Sequence, residues 1–194
     1  MYTQTQINPS NKPLNRNQGR GHGQGQERKV YGVYIKSALE MKVILSINEI
    51  GKNVKQNLER KIVSQIEGKC IADGFIQPNS VRIINYSSGN VLSDLIEFHA
   101  VYECMISHPV EGMIMEAKCK TLTKAGIHAQ VIDEDGNIPV TVFIARDHHQ
   151  MNNMFNSVTE DSKITVRVIG TRFELNDPYI CVIAKLISSS SDNK

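Results

Sequence analysis

IEFHAVYECMISHPVEGMIMEAKCKTL, residues 96–122, is the stretch from which the fold is read. Phe98, Ala100, Tyr102, Cys104 and Ile106 stand two apart, with Glu97, His99 and Glu103 between them. Strand residues two apart share a face, so this half predicts one long strand with an apolar and a polar side. Beyond it, Met113, Met115, Ala117 and Cys119 alternate with Glu116, Lys118 and Lys120, and a second strand is expected. Pro109 has no N–H to give a ladder, so the sheet is expected to change at the Pro-Val-Glu-Gly of residues 109–112. The joint then passes the chain from a small sheet domain into a barrel-like one.

Working back from the joint, residues 30–45 alternate as one bent strand or two short ones. Ser46 and Glu49 have capping-box spacing, in which hydroxyl and carboxylate satisfy each other's free N–H groups. The predicted helix that follows carries Ile50, Val54, Leu58, Ile62 and Ile66 at four-residue steps, with Val63 beside them. Lys52, Lys55, Gln56, Glu59, Arg60 and Gln65 fill its other side, so a single apolar stripe should face a sheet. Gly68 suits its end. Residues 70–76 and 81–86 read as strands about a turn at 77–80, and residues 87–90 as a loop. Together these predict a helix on a small antiparallel sheet, an α+β unit.

Working forward, residues 123–126 read as a turn, 127–132 as a strand, 133–137 as a hairpin loop and 138–144 as its return. Residues 163–169 and 179–186 complete five strands, joined through 170–178. Five short strands with a longer segment after the third is the pattern of an OB-fold barrel. In that longer segment Met151, Met154 and Phe155 form an apolar cluster, for a partner or as a plug for the barrel's end. Glu134-Asp135-Gly136-Asn137 resembles part of a calcium loop, but an EF-hand places its glycine sixth between two helices, so a turn is expected. Residues 188–194 read as a frayed end.

Composition narrows the function classes. Of 194 residues, 22% are charged and 40% hydrophobic, as in a soluble globular protein. No apolar run approaches the ~20 residues of a membrane helix, and the N-terminus lacks a secretory signal, so an intracellular protein with no membrane partner is expected. Cys70, Cys104, Cys119 and Cys181 stand singly and read as reduced, buried thiols rather than a zinc or redox set. His148-His149 lacks further ligands at metal spacing, and no metal or other cofactor is expected. Residues 1–28 are rich in Asn, Gln and Gly and read as a disordered tail, either solvated or touching RNA through Arg20-Gly21-His22-Gly23. Within residues 1–29, Lys12, Arg16, Arg20, Arg28 and Lys29 face Glu27 alone, so the overall +2 leaves a mildly acidic body. Phosphate contacts supply most non-specific nucleic-acid affinity, so any RNA contact of that body should be weak or helped by neighbours. No phosphate loop and no Gly-x-Ser-x-Gly elbow occurs, and a non-catalytic binding role is expected.

The ordered set around the joint resembles a known family. Ile66-Glu67-Gly68-Lys69-Cys70, Gly74-Phe75-Ile76, Ile96-Glu97-Phe98 through Pro109 and Gly112, Gly126-Ile127-His128, and Val142-Phe143-Ile144 match it in order and spacing. The chain is similar, from about residue 30 to 186, to the stalk subunit of multisubunit DNA-directed RNA polymerases: the seventh subunit of RNA polymerase II and its archaeal, eukaryotic and large-DNA-virus homologues. The resemblance implies a tip domain (residues 29–108), an OB-fold RNA-binding domain (109–188) and terminal tails at 1–28 and 189–194.

It implies polymerase core subunits as partners, docked through the tip at Asp73, Gly74, Phe75, Ile76, Gln77 and Pro78. A second small stalk subunit along the joint is a further partner in the cellular members. Nascent single-stranded RNA is the expected ligand of the barrel. Such barrels stack bases on rings of their second and third strands, where this chain has His128 and Phe143, while Ala125 departs from the pattern. Lys118, Lys120, Lys124 and Arg146 flank them as candidates for phosphate. Each of these residues has a plainer reading, as core packing or solvated surface. The rival for the whole chain is a freestanding OB-fold RNA-binding factor of translation or RNA decay. The Asn-, Ile- and Lys-rich composition and added tail suggest an AT-rich source such as a large DNA virus. The compartment would then be virion or host cytoplasm, and the nucleus for a eukaryotic cell.

Overall fold

The computed structural model describes residues 32–149 and 153–190. The expected N-terminal tail, Met151 and residues 191–194 lie outside the described residues. The spine of the first lobe is β6 (Leu95–Ser107), the long strand expected from the alternation. Phe98, Ala100, Tyr102, Cys104 and Ile106 are all buried. β1 (Ile35–Ser46) is one strand and pairs with β6 along its whole length, from Ile35 opposite Ile106 to Ser46 opposite Leu95. The other edge of β6 takes β5 (Asn90–Leu92), β4 (Arg82–Tyr86) and β3 (Gly74–Ile76) in succession, and β2 (Cys70–Ile71) pairs with β3.

Helix α1 (Val54–Ile66) packs on β1 and β4 and buries Leu58, Ile62 and Ile66 in the core with Val43, Leu45, Phe98 and Tyr102. Ile50, Val54 and Val63 pack partly buried against the same core, as their spacing requires. Gly68 follows the helix at φ 70°, the left-handed position that favours glycine.

Three local expectations are corrected. The Ser46–Glu49 capping box exists, with the Ser46 N–H donating to Glu49 Oε2 at 2.9 Å, but it closes a 3₁₀ turn (Ile47–Glu49). α1 starts only at Val54, because the Glu49 carbonyl accepts from the Asn57 side chain at 2.8 Å instead of continuing the helix. β5 lies partly in the expected loop, forming a hairpin with the start of β6. Residues 70–76 are not one strand but the β2–β3 hairpin.

The second lobe is a closed barrel of five strands: β7 (Ile114–Leu122), β8 (Gly126–Val131), β9 (Val140–Ala145), β10 (Lys163–Arg172) and β11 (Ile180–Ser190). Around the wall they run β7-β8-β9-β11-β10, with β9 and β11 parallel and the other pairs antiparallel. The order is consistent with the OB barrel expected from the strand count. Met115, Ala117, Cys119, Ile127, Val142, Ile164 and Val182 fill the interior. The barrel's last strand runs to Ser190, paired with Lys163, so Ser188 and Ser189 are ladder residues rather than a frayed end.

The connection after β9 is a 3₁₀ turn (Arg146–His149) and the short helix α2 (Asn153–Asn156). Phe155 and Val158 are buried in the barrel core, which supports the plug reading, while Met154 stays exposed. His149 is buried too, while its neighbour His148 is exposed. Its Nε2 accepts the Leu186 N–H at 3.1 Å, so Nδ1 carries the proton and donates to the Ala145 carbonyl at 3.0 Å. The ring stacks on Phe155 at 5.2 Å.

The lobes are bound by more than the joint. Cys70 N–H donates to the Asp177 carbonyl at 2.9 Å, and the Cys70 carbonyl accepts from Asn176 at 2.8 Å, so β2 bridges to the β10–β11 loop. Cys70 and Phe75 belong to the barrel's core cluster although their hairpin is part of the first sheet. Tyr34 donates its hydroxyl to Asp133 of the β8–β9 loop at 2.9 Å.

Candidate nucleic-acid interface

His128 and Phe143 are direct cross-strand partners on β8 and β9, with ring centroids 4.8 Å apart and planes at 47°. His128 is exposed and Phe143 half-buried, on the outer wall because their neighbours Ile127, Ala129, Val142 and Ile144 fill the interior. Two rings side by side on an exposed wall are a platform on which bases can stack.

The expected cations divide. Lys118 and Lys120 lie on the outer face of β7, but Lys118 is paired with Asp161 at 2.9 Å. That hydrogen bond, with the lysine charges, holds the Asp161 carboxyl below the usual carboxylate range. Arg146 has a structural task. Its Nε donates to the Lys124 carbonyl at 3.0 Å and its Nη2 to the Thr123 carbonyl at 3.3 Å, and its guanidinium lies 5.0 Å over the Phe155 ring. The arginine thereby staples the β7–β8 turn to the plug. Lys120 and Lys124 are exposed.

The expected docking residues are mostly internal. Ile76 is fully buried in the first lobe's core and Phe75 is only 3% exposed. Gly74, at φ 133°, is buried so closely that a Cβ would collide with the Ser107 carbonyl oxygen. These three fill the seam between the lobes, which fits their plainer reading as core packing. Asp73 is exposed, and its carbonyl accepts from His108 Nδ1 at 2.6 Å; Gln77 and Pro78 are half-buried.

Two exposed surfaces escaped the sequence reading. At the end of the sheet away from the barrel, Ile44, Ile47, Val91, Leu92 and Leu95 are each 40–66% exposed. Leu92 pairs with Leu95, Leu95 with Ser46 and Ile44 with Glu97, so Ile44, Leu92 and Leu95 share the outer face, and the Ile47 N–H donates to the Asp94 carbonyl at 3.1 Å beside them; Val91 pairs with Ile96 and lies on the opposite face. On the barrel, Cys181 and Ile183 point outward from β11, and Lys185 follows on the same face. Cys181 is exposed, against the expectation of four buried thiols, while burial pushes the thiols of Cys70 and Cys104 up to about 11. A signal was present, since β11 alternates, but its outer residues gain meaning only beside the parallel β9.

Among the described residues, no helix is long and apolar enough to cross a membrane, and no group of three or more His, Cys, Asp or Glu side chains is placed to hold a metal ion. No protein-family model matches the chain. It is 27% identical over 158 residues to a Glycine max protein named DNA-directed RNA polymerase II subunit RPB7, spanning 73% of this chain and 86% of that protein. It is 27% identical over 154 residues to the Arabidopsis thaliana DNA-directed RNA polymerase II subunit 7, spanning 70% of this chain and 83% of the relative. A putative DNA-directed RNA polymerase subunit of Acanthamoeba polyphaga mimivirus is 25% identical over 178 residues, spanning 84% of this chain and 86% of its own length. The relatives named as RNA polymerase subunits, two of them as the seventh subunit of RNA polymerase II, thus cover 70–84% of the chain.

Proposed function

We propose that this chain, similar throughout most of its length to the seventh polymerase subunit, is a non-catalytic stalk subunit of a DNA-directed RNA polymerase. The observation that carries the reading is the exposed apolar end of the first sheet, where Ile44, Leu92 and Leu95 share one face with Ile47 beside them. Large apolar side chains grouped on an exposed end mark a protein contact rather than a solvated surface. β6 is 13 residues long, so that end stands roughly 40 Å from the joint. A contact there holds the barrel well away from the docking surface, as a stalk needs, and leaves its wall facing emerging RNA. Binding through a tethered weak site suffices, because tethering raises its effective concentration.

A second small subunit has a place in this reading. Between the lobes, a groove of about 780 Å³ is lined by Ile35, Leu39, Ile106, Val110 and Met113, with Asp73 and Glu111 beside them. Among the described residues β1 closes its side as an edge strand, whose second row of backbone groups is open to an added strand.

The test is assembly. Tagged chain expressed in its native source should bring down polymerase core subunits. Leu95→Asp should remove them while leaving the circular dichroism spectrum and melting temperature within a few degrees of wild type, since Leu95 is exposed. Normal assembly of that variant would overturn the docking assignment. Tight RNA binding with no core subunits would favour the freestanding RNA-binding factor.

A further inference from the structure

The outer wall formed by β11 and β10 is indented. Reading around the outside of the barrel, His128 of β8 pairs with Phe143 of β9, Phe143 with Ile183 of β11, and Ile183 with Gly170 of β10. Paired residues on neighbouring strands share a face, so these residues form one transverse row. The next row is Gln130, Thr141, Cys181 and Arg172. On the other side of the first row, Lys185 pairs with Arg167, and both are exposed. The ladder shifts between Val168 and Gly170, which bulges Ile169 outward. Gly170 then leaves an unfilled place opposite Ile183, and the wall is indented into a recess of about 400 Å³.

We propose that this recess seats an unpaired RNA base, so that the strand crosses the barrel from β8 to β10 instead of staying on β8 and β9. The inference rests on the RNA reading of the barrel and extends it to strands outside the usual ligand face of such barrels. Rings and apolar side chains line the path, and Arg172 on one side with Lys185 and Arg167 on the other can meet phosphates. No carboxylate stands in either row. The acid next to them, Glu174, lies 3.4 Å from Arg172 and is exposed to solvent, where an ion pair is weak enough to exchange for a phosphate. The opposite edge of the platform offers exposed Lys120 and Lys124, while Lys118 is paired with Asp161 and Arg146 is bound to the β7–β8 turn. A protein partner would be drawn to an uncharged apolar patch, whereas this strip is bordered by cations.

The full chain tests the inference without an added label. Cys181 is exposed at the recess, while Cys70, Cys104 and Cys119 are buried, so maleimide alkylation under native conditions reports on this wall. The probe is an oligouridylate of roughly 10 nucleotides, within the span of one such barrel, in low salt. RNA should slow alkylation of Cys181 severalfold. Ile183→Glu should weaken RNA binding by about tenfold, the loss of one stacked base. Arg172→Ala should reduce the slope of log affinity against log salt by about one, as for a lost phosphate contact. If wild type binds RNA yet Cys181 alkylates at an unchanged rate and Ile183→Glu binds normally, the recess is overturned and the β8–β9 platform stands. If wild type fails to bind RNA, the underlying RNA reading fails and the recess falls with it. Protection of Cys181 by polymerase subunits alone would assign the strip to a protein contact and likewise overturn the inference.

Discussion

Phe75→Ala separates a docking residue from a seam residue. A contact residue on an exposed loop would leave the free chain as stable as before and fail only in assembly. Phe75 is instead 3% exposed and sits among the barrel's core residues, although it is carried by a hairpin of the first sheet. Truncating a buried phenylalanine costs about 3–5 kcal/mol, from lost transfer energy and the cavity left behind. That is a large share of the ~5–15 kcal/mol that holds a typical domain folded. With a urea slope of about 2 kcal/mol/M, the midpoint should fall by roughly 2 M. Because the side chain joins the two lobes, far-UV and tyrosine signals should also stop melting together. A loss under about 1 kcal/mol, with coincident transitions, would refute the seam assignment.

Other consequences follow from the same packing. His149→Leu leaves the buried Leu186 N–H without its acceptor, a cost of about 1–3 kcal/mol, and hydrogen exchange at that amide should accelerate; unchanged protection would contradict the pairing. Alkaline pH should loosen the fold. Burial pushes Cys70 and Cys104 up to about 11 and Tyr102 up to about 12, whereas an unfolded chain releases these protons from its ordinary values of 9.0 and 10.0. Above pH 9 the unfolded state therefore binds fewer protons than the folded one, and stability must fall as pH rises. The melting temperature should decline steadily from about pH 9 to 12, and a flat profile there would count against the buried thiols and phenol. In acid the sign reverses for Asp133. Burial raises its carboxyl, but hydrogen bonds from Asn137, Tyr34 and Asp135 outweigh that and hold it low, so its contribution is present at neutral pH and lost on acidification. Tyr34→Phe should destabilise the chain by about 1–2 kcal/mol at neutral pH and by much less once the carboxyl is protonated; an equal loss at both would disprove the linkage.

What the sequence disclosed depended on the range of the contacts involved. β6 and the α1 stripe were legible because their alternation and four-residue steps are local, and burial of Phe98, Tyr102, Leu58 and Ile62 follows from those periods. The Ser46–Glu49 box was legible as a cap, but the same two residues close a 3₁₀ turn as well as an α-helix. β5 escaped because three residues with Val91 and Leu92 both exposed carry no period. Gly74-Phe75-Ile76 gave no sign of which core it enters, since both side chains are buried and two separate cores meet there. At the candidate site, His128 and Phe143 were placed by the hairpin that pairs them. Ile183 and Arg172 were not, because they join the site through the parallel β9–β11 pairing, which spans 40 residues of sequence. The structural part of Arg146 was not legible, because nothing in the sequence announces its bonds to Thr123 and Lys124.

On the proposed function, the apolar end of the first sheet holds the chain on a polymerase while the barrel stands free of it. Lysine cross-linking of the native assembly, read by mass spectrometry, tests this most directly. Lys42 and Lys52 flank the apolar end and should link to large polymerase subunits, while Lys163 and Lys185 of the barrel should give few such links. Links made chiefly from Lys163 and Lys185, with Lys42 and Lys52 unreacted toward any core subunit, would contradict the account.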